Sequence, residues 1–228
     1  MKNRMKDNKW HVYMFLALSV LFWAVVSDAW GYSEHFLTKL PNDWNRYIYG
    51  YISRLVWGMP FLFILLKRKQ EQVIPLKQLF GFHFHWNSFL LVFAISTICV
   101  LVKMFFMHGG FWINPSIIFP QELCHFFIVG FVEELVYRGY GLNALSQYMN
   151  ERKANMISCL FFIALHIPAY LIHWYCDGIF SLTAMLTQVG SVFICGLLFG
   201  IVFRKSKSVW ASAILHFWYD FAVVVFIG

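Results

Sequence analysis

Long apolar runs separated by short polar connectors make up most of the chain. Each run is close to the roughly 20 residues that a helix needs to cross the hydrocarbon core of a bilayer. The runs are continuous and lack the period-two alternation of a transmembrane barrel strand. The pattern predicts an all-α, polytopic membrane helix bundle with about seven transmembrane helices. The predicted spans are 10–30, 46–66, 87–107, 120–145, 155–175, 180–203 and 209–227.

The composition also indicates that the chain lies in a membrane. Hydrophobic residues make up 60% of the chain and charged residues 13%, which is about half the charged share of a typical soluble domain. A helix satisfies its own backbone hydrogen bonds, as a bilayer requires of any segment that crosses it. We therefore expect a multi-pass integral protein of the cell membrane, with one membrane domain over residues 1–228 and membrane lipid as its immediate partner.

The Lys and Arg residues are distributed unevenly among the connectors. Thirteen lie in the N-terminus and in the connectors after the second, fourth and sixth runs, whereas Lys39 and Arg46 lie near the connector after the first. Because cytoplasmic connectors carry the excess of positive charge, the N-terminus is predicted inside and the C-terminus outside. The net charge of +7 consists largely of these topology signals, so no nucleic-acid partner is expected. The apolar run Trp10–Val26 is interpreted as a retained signal anchor.

Two glutamates and an arginine interrupt the middle of the fourth apolar run. Residues four apart lie on the same face of a helix, so Glu134 and Arg138 are predicted to form an ion pair. Glu133 points about 100° away from Glu134 and is expected to remain available for chemistry. Arg54, in the second run, has no partner that the sequence identifies. Ionisable groups inside a membrane are costly, which makes these residues candidates for function.

The fifth and seventh runs carry histidines at a similar depth. Phe162 and His166 are four apart in FFIALHIP, and His216 and Asp220 are four apart in HFWYD, so each pair lies on one helix face. At 1.5 Å per residue from the predicted inner ends of their spans, Glu133, His166 and His216 all lie roughly 12–18 Å deep. The sequence predicts a polar pocket inside the bundle, although each motif alone is equally compatible with helix packing.

Three motifs in this order resemble the CPBP family, the CAAX prenyl protease and bacteriocin-processing intramembrane proteases, also called the Abi or CAAX protease self-immunity family. The motifs EExxxR, FxxxH and HxxxD are carried by Glu133, Glu134, Arg138, Phe162, His166, His216 and Asp220. The resemblance covers 120–227, a four-span catalytic core, and leaves the three spans within 10–107 without a family signal. It implies an intramembrane endopeptidase that acts on a membrane-associated peptide or protein, in bacteriocin or peptide maturation, self-immunity or CAAX-type processing.

The resemblance also implies roles for individual residues. Glu133 would be the general base that activates a water molecule, and His166 would help to hold that water. His216, with or without Asp220, would stabilise the oxyanion. The supporting residues would be Glu134, Arg138 and Phe162.

The last motif position departs from the family pattern. The family often has Asn where this chain has Asp220. Asn donates a hydrogen bond to an oxyanion, whereas an ionised Asp cannot. Asp220 is therefore expected either to be protonated, which burial favours, or to orient His216.

No cofactor is expected, since the resemblance implies a glutamate-dependent reaction without metal. A zinc site is the alternative, in which Glu133, His166 and His216 supply three protein ligands from three helices. The sequence has no HExxH motif, and its five cysteines are scattered without a CxxC pair. The cysteines are therefore interpreted as packing residues rather than as a disulfide framework or zinc cluster.

Two other functional classes stay open on the sequence. The chain is also compatible with a non-catalytic immunity or scaffold protein that binds a toxin peptide or a partner in the membrane. A transporter would use the buried charges as an ion path, but the internal repeats typical of transporters are not visible. The sequence identifies neither the peptide substrate nor the oligomeric state.

Overall fold

The computed structural model describes residues 9–37, 43–69, 72–177 and 181–228. The regular structure within these ranges is entirely helical, as the apolar runs predict. The α-helices are α1 Lys9–Leu37, α2 Asp43–Lys67, α3 Leu76–Leu79, α4 Trp86–His108, α5 Phe119–Glu134, α6 Glu151–Asp177, α7 Leu182–Ser206 and α8 Val209–Phe226.

The segment predicted as one span over 120–145 changes its helical form in the middle. α5 ends at Glu134, the π-helix Leu135–Leu142 follows directly, and the short turn Asn143–Leu145 is α-helical again. Every residue of the π-helix is buried. A π-helix is a rare form that is frequent at functional sites, and this one begins immediately after the two glutamates.

Within the part of the chain that the structure describes, five helices are long and apolar enough to cross a membrane. They contain the segments Gly50–Lys67, Trp86–His108, Glu151–Leu171, Leu182–Ser206 and Val209–Phe226. Many large apolar side chains are exposed, among them Phe106 at 87% and Phe63 at 60%, as suits a surface in contact with lipid. The protein is therefore an integral membrane protein.

The number of seven spans and the orientation of the termini stay predictions. The apolar part of α1, Lys9–Val25, is shorter than the five spanning helices. The basic residues before Lys9 and the connector with Lys39 lie outside the described ranges, so part of the charge asymmetry falls on them.

Local signals in the sequence fix several helix ends. Gly109 ends α4 in the left-handed region, at φ 70°, which glycine adopts without the steric cost of a Cβ. Ser181 precedes α7 and Ser208 precedes α8, and each side chain accepts a backbone N–H of the first turn. These serine caps satisfy donors that a helix leaves unpaired at its start.

Glycines allow α5 to approach its neighbours closely. A methyl group added at Gly58 of α2 would lie 2.7 Å from Cγ1 of Val132 on α5. A methyl group at Gly130 of α5 would lie 2.9 Å from the backbone nitrogen of Phe217 on α8. α5 therefore lies between α2 and α8, with both glutamates at its end.

The GLLFG motif of α7 makes a similar contact with α6. A methyl group at Gly196 would lie 2.7 Å from Sγ of Cys159, and Gly200 lies directly against the side chain of Asn155. Asn155 also donates to the carbonyl of Leu197 at 3.2 Å. This GxxxG spacing therefore serves close helix packing.

The connector between α2 and α4 is bonded to the helices beneath it. The side-chain amide of Asn143 forms two hydrogen bonds with the backbone of Ile74, at 2.8 and 3.1 Å. The indole of Trp210 donates to the carbonyl of Phe80 at 3.0 Å. This connector therefore closes one end of the bundle over the π-helix and the start of α8.

Candidate active site

Glu134 and Arg138 form a fully buried ion pair. The Arg138 Nη1 atom lies 2.8 Å from Oε1 of Glu134, and the two side chains are 1% and 0% exposed. Arg138 Nη2 donates to the carbonyl of Gly196 at 2.9 Å, and the guanidinium lies 4.4 Å from the ring centre of Phe162. The predicted pairing is confirmed, and Arg138 also joins the π-helix to α6 and α7.

Glu133 does not share Arg138, and it has a cationic partner of its own that the sequence did not identify. Its Oε1 atom forms an ion pair with Nη1 of Arg54 on α2. The Glu133 side chain is 4% exposed, and a carboxylate at that depth needs a compensating charge. This partner could not be identified from the sequence because the two residues are 79 positions apart.

His216 lies between the two glutamates. Its Nδ1 atom is 3.2 Å from Oε1 of Glu134, and its Nε2 atom is 3.7 Å from Oε2 of Glu133. Nε2 also lies 3.2 Å from Oδ2 of Asp220, one turn later on α8. Both ring nitrogens therefore face carboxylates, an arrangement that favours the imidazolium form with two N–H donors.

His166 lies against the same aromatic ring as His216, since Phe162 contacts both imidazoles. Its Nδ1 atom lies 2.8 Å from the carbonyl of Phe162, so Nδ1 carries the donated proton and Nε2 of the neutral ring is an acceptor. An acceptor nitrogen at this position is suited to hold a water molecule.

Phe162 separates the two histidines. Its ring centre lies 4.9 Å from that of His166 and 5.6 Å from that of His216, in edge-to-face geometry. Phe162 is itself buried. The ring thus sets the orientation of both imidazoles by packing.

The structure brings the candidate residues of the three motifs together in one cluster. Glu133, Glu134, Arg138 and His216 are buried, whereas the side chain of Asp220 is 25% exposed and His166 is half-buried. The cluster therefore opens on the side of Asp220 and His166. The catalytic roles assigned to these residues stay predictions.

The residues of the alternative zinc set do not fit a metal ion as they are arranged. Among the described residues, no group of three or more His, Cys, Asp or Glu side chains is arranged to hold one. Oε1 of Glu133 is bound by Arg54, and both nitrogens of His216 face carboxylates. A zinc-bound imidazole needs an unprotonated nitrogen directed at the metal, which this setting of His216 disfavours.

Two features of the site were not predicted from the sequence. Arg54 was visible as a charged residue deep in an apolar run, but its partner depends on which helices are neighbours. The π-helix Leu135–Leu142 has no sequence signal that distinguishes it from an α-helix.

Comparison with known families places most of this cluster in one domain. Residues 115–222 match the family described as type II CAAX prenyl endopeptidase Rce1-like, and the resemblance drawn from the three motifs is confirmed. The matched segment runs from the connector before α5 into α8, and it contains every residue of the cluster except Arg54. No curated protein matches the chain.

Proposed function

We propose that this chain, whose residues 115–222 form an Rce1-like domain of the CAAX prenyl endopeptidase (CPBP) family, cleaves membrane-associated peptides with a water molecule that Glu133 activates. The family implies a CAAX-type intramembrane endopeptidase. The observation that carries the finer proposal is a buried carboxylate beside the His216 imidazole, with a second imidazole, His166, against the same Phe162 ring.

The first step is the activation of water. Oε2 of Glu133, the oxygen that Arg54 does not bind, takes a proton from a water molecule that Nε2 of His166 helps to hold. The resulting hydroxide attacks the carbonyl carbon of the peptide bond. Glu133 is suited to this step because Arg54 binds one of its carboxylate oxygens, and the other lies near His216.

In the second step, the negative charge that develops on the carbonyl oxygen has to be stabilised. The Nε2–H group of His216, which Asp220 orients before the reaction, donates to the oxyanion in place of Asp220, and Glu134 at Nδ1 keeps the ring in position. When the tetrahedral intermediate collapses, the carbon–nitrogen bond breaks. Glu133 then returns its proton to the leaving amine nitrogen, so that one water is consumed per bond cleaved.

The substrate that we propose is a membrane-associated peptide at the cell membrane, in CAAX-type processing or in bacteriocin and peptide maturation. Exposed apolar side chains around the bundle and the opening near Asp220 support access from the bilayer. The reaction is proposed to proceed without a metal ion, because Arg54 binds one oxygen of Glu133 and carboxylates face both nitrogens of His216.

The test compares wild-type protein with Glu133→Gln in liposomes. A library of membrane peptides, including peptides with CAAX-type C-termini, is incubated with each, and the products are identified by mass spectrometry. We expect Glu133→Gln to lose about 10²–10⁴-fold in cleavage rate, the usual contribution of a general base, and chelators to leave the wild-type rate unchanged.

Glu122→Gln is the matched control. Glu122 lies on the same helix about 16 Å from Glu133 along its axis, so its replacement should leave the rate unchanged. Wild-type rates in Glu133→Gln would contradict the assignment of the base. Absence of cleavage by folded wild-type protein would instead favour the immunity or scaffold class.

A further inference from the structure

Arg54 comes from a helix outside the matched family segment and yet binds the proposed general base. We propose that Arg54 is a positioning residue for the reaction, which binds one oxygen of Glu133 and directs the second oxygen toward His216. The inference rests on the proposed function and adds a part to it, since it assigns a role to the N-terminal helices α1 and α2.

The packing of α2 brings Arg54 to Glu133. Gly58 lies one turn after Arg54, on the same face of α2, and it is the residue that packs directly against Val132. Because Val132 precedes Glu133, α2 packs tightly against α5 beside the carboxylate. A larger side chain at position 58 would hold the two helices apart at this level.

α1 fixes the position of α2 from the other side. Trp57 is 2% exposed, and its indole donates to the backbone carbonyl of Ser19 at 3.1 Å. The ring of Trp57 also lies 5.3 Å from the ring of Trp23, measured between centres. These contacts restrict both rotation and translation of α2 relative to the site.

The guanidinium of Arg54 is held between an aromatic ring and the carboxylate. It lies 4.1 Å from the ring centre of Trp23, a distance at which a cation is attracted to the face of the ring. Its other contact is Oε1 of Glu133. The Arg54 side chain is 16% exposed, so water screens the pair weakly.

The charges of the cluster explain why Glu133 needs Arg54 as a partner. The cluster contains three carboxylates, Glu133, Glu134 and Asp220. Glu134 is paired with Arg138, and Glu133 and Asp220 share the Nε2 side of His216. Without Arg54, Glu133 would be a buried carboxylate next to two others with no cation bound to it, and an uncompensated buried charge is costly.

Arg54 also decides which oxygen of Glu133 is available. It occupies Oε1, and Oε2 is the atom that lies 3.7 Å from Nε2 of His216. The ion pair therefore leaves one carboxylate oxygen directed toward the residue that would stabilise the oxyanion. Loss of Arg54 would affect the chemical step and leave substrate binding largely unchanged.

The test uses the full-length protein in liposomes with a peptide that the wild type cleaves. We expect Arg54→Gln to lower kcat at least about 100-fold, with KM within about threefold of wild type, since a positioning contact acts on the transition state. Arg54→Lys keeps a cation near Oε1 and should recover at least about tenfold of that loss. Lys67→Gln, which removes an exposed cation from the end of the same helix, should match wild type.

Trp23→Leu is the second variant, which keeps Arg54 but removes the ring beneath its guanidinium. It should lower kcat about three- to tenfold at unchanged KM, and it decides the question if Arg54→Gln does not fold. Wild-type kcat in folded Arg54→Gln, or in Trp23→Leu, overturns the inference. If the inference about Arg54 fails and Glu133→Gln is inactive in the same assay, the proposed function still stands. If Glu133→Gln is active, the proposed function itself fails.

Discussion

Glu133 and Glu134 are neighbours in the chain but have different surroundings. Glu134 is completely buried, paired with Arg138, and bonded to Nδ1 of His216. Glu133 has Arg54, which is partly exposed, and it faces the more open side of His216. One glutamate therefore holds the structure together, and the other is left with an oxygen directed into the site.

The first residue-scale prediction separates the two glutamates by stability. Glu134→Gln leaves Arg138 buried without a counter-charge, which should lower the free energy of unfolding by about 3–5 kcal/mol. Glu133→Gln should cost less, because the partner it leaves is partly exposed and lies over Trp23. Unfolding in detergent with increasing denaturant measures both variants, and equal losses would contradict the distinction.

The second residue-scale prediction concerns Asp220. An asparagine at this position still accepts a hydrogen bond from Nε2 of His216, and replacing a charge-assisted bond with a neutral one weakens it by about 1 kcal/mol. Asp220→Asn should therefore keep kcat within about tenfold of wild type. Asp220→Leu removes the acceptor and should lower kcat by about 10²-fold, close to the loss of one oxyanion-stabilising group.

Peptide cleavage rates of the two Asp220 variants in liposomes check this prediction. Equal and large losses would mean that the negative charge of Asp220 matters, and not its hydrogen bond to His216. Wild-type rates in Asp220→Leu would remove Asp220 from the site.

At the scale of helices, the separation of α5 and α8 sets the distances in the cluster. The carboxylates lie at the end of α5 and His216 lies on α8, and Gly130 lets the two backbones approach closely. The site therefore depends on a residue that makes no contact with its polar groups. The π-helix that follows, with Arg138 inside it, is held to α7 by the bond to Gly196.

Gly130→Ala tests this dependence. The added methyl group would lie 2.9 Å from one backbone atom of α8 and 3.1 Å from another, and backbone atoms cannot move aside separately. We expect a loss of about 1–3 kcal/mol in stability, as for other overpacked positions, together with at least about tenfold lower activity.

Gly190→Ala is the control for this change, since nothing lies within 4 Å of a methyl group at Gly190 on α7. Its stability should be unchanged or raised by up to about 1 kcal/mol, because alanine favours a helix more than glycine. Thermal unfolding and cleavage rates measured on the same preparations check both variants. A Gly130→Ala protein as active as Gly190→Ala would show that the helix separation is not critical.

At the scale of the molecule, two parts of the chain build the site. The matched segment over 115–222 supplies the motif residues, and α2, supported by α1, supplies Arg54. Apolar side chains cover much of the described surface, so the assembly depends on the membrane as its solvent. The direction in which it is inserted decides the side from which peptides arrive.

The prediction at this scale is the orientation that the Lys and Arg residues indicate. In a variant without native cysteines, a cysteine at Lys77 should be on the cytoplasmic side, and one at Gly110 on the outer side. A membrane-impermeant maleimide should label Gly110→Cys in intact cells and Lys77→Cys after permeabilisation. The reverse pattern would place the N-terminus outside.

Some contacts of the site could be predicted from the sequence, and others could not. The pairs Glu134–Arg138 and His216–Asp220 follow from a spacing of four on a helix, and both contacts are present. The contact of Gly196 with α6 also follows from a local motif. The pair of Arg54 with Glu133 could not be predicted, because it joins helices that are distant in the chain.

The sequence by itself determined that the chain lies in a membrane, that it is helical, and that residues four apart on one helix form pairs. A continuous apolar run has to satisfy its backbone inside lipid, and a helix does so with bonds within the run. Only the tertiary structure decided which carboxylate is bound by which cation, and that His216 lies between both glutamates. The physical reason is range: helical periodicity relates residues within a few turns, whereas these contacts depend on how closely glycines let separate helices approach.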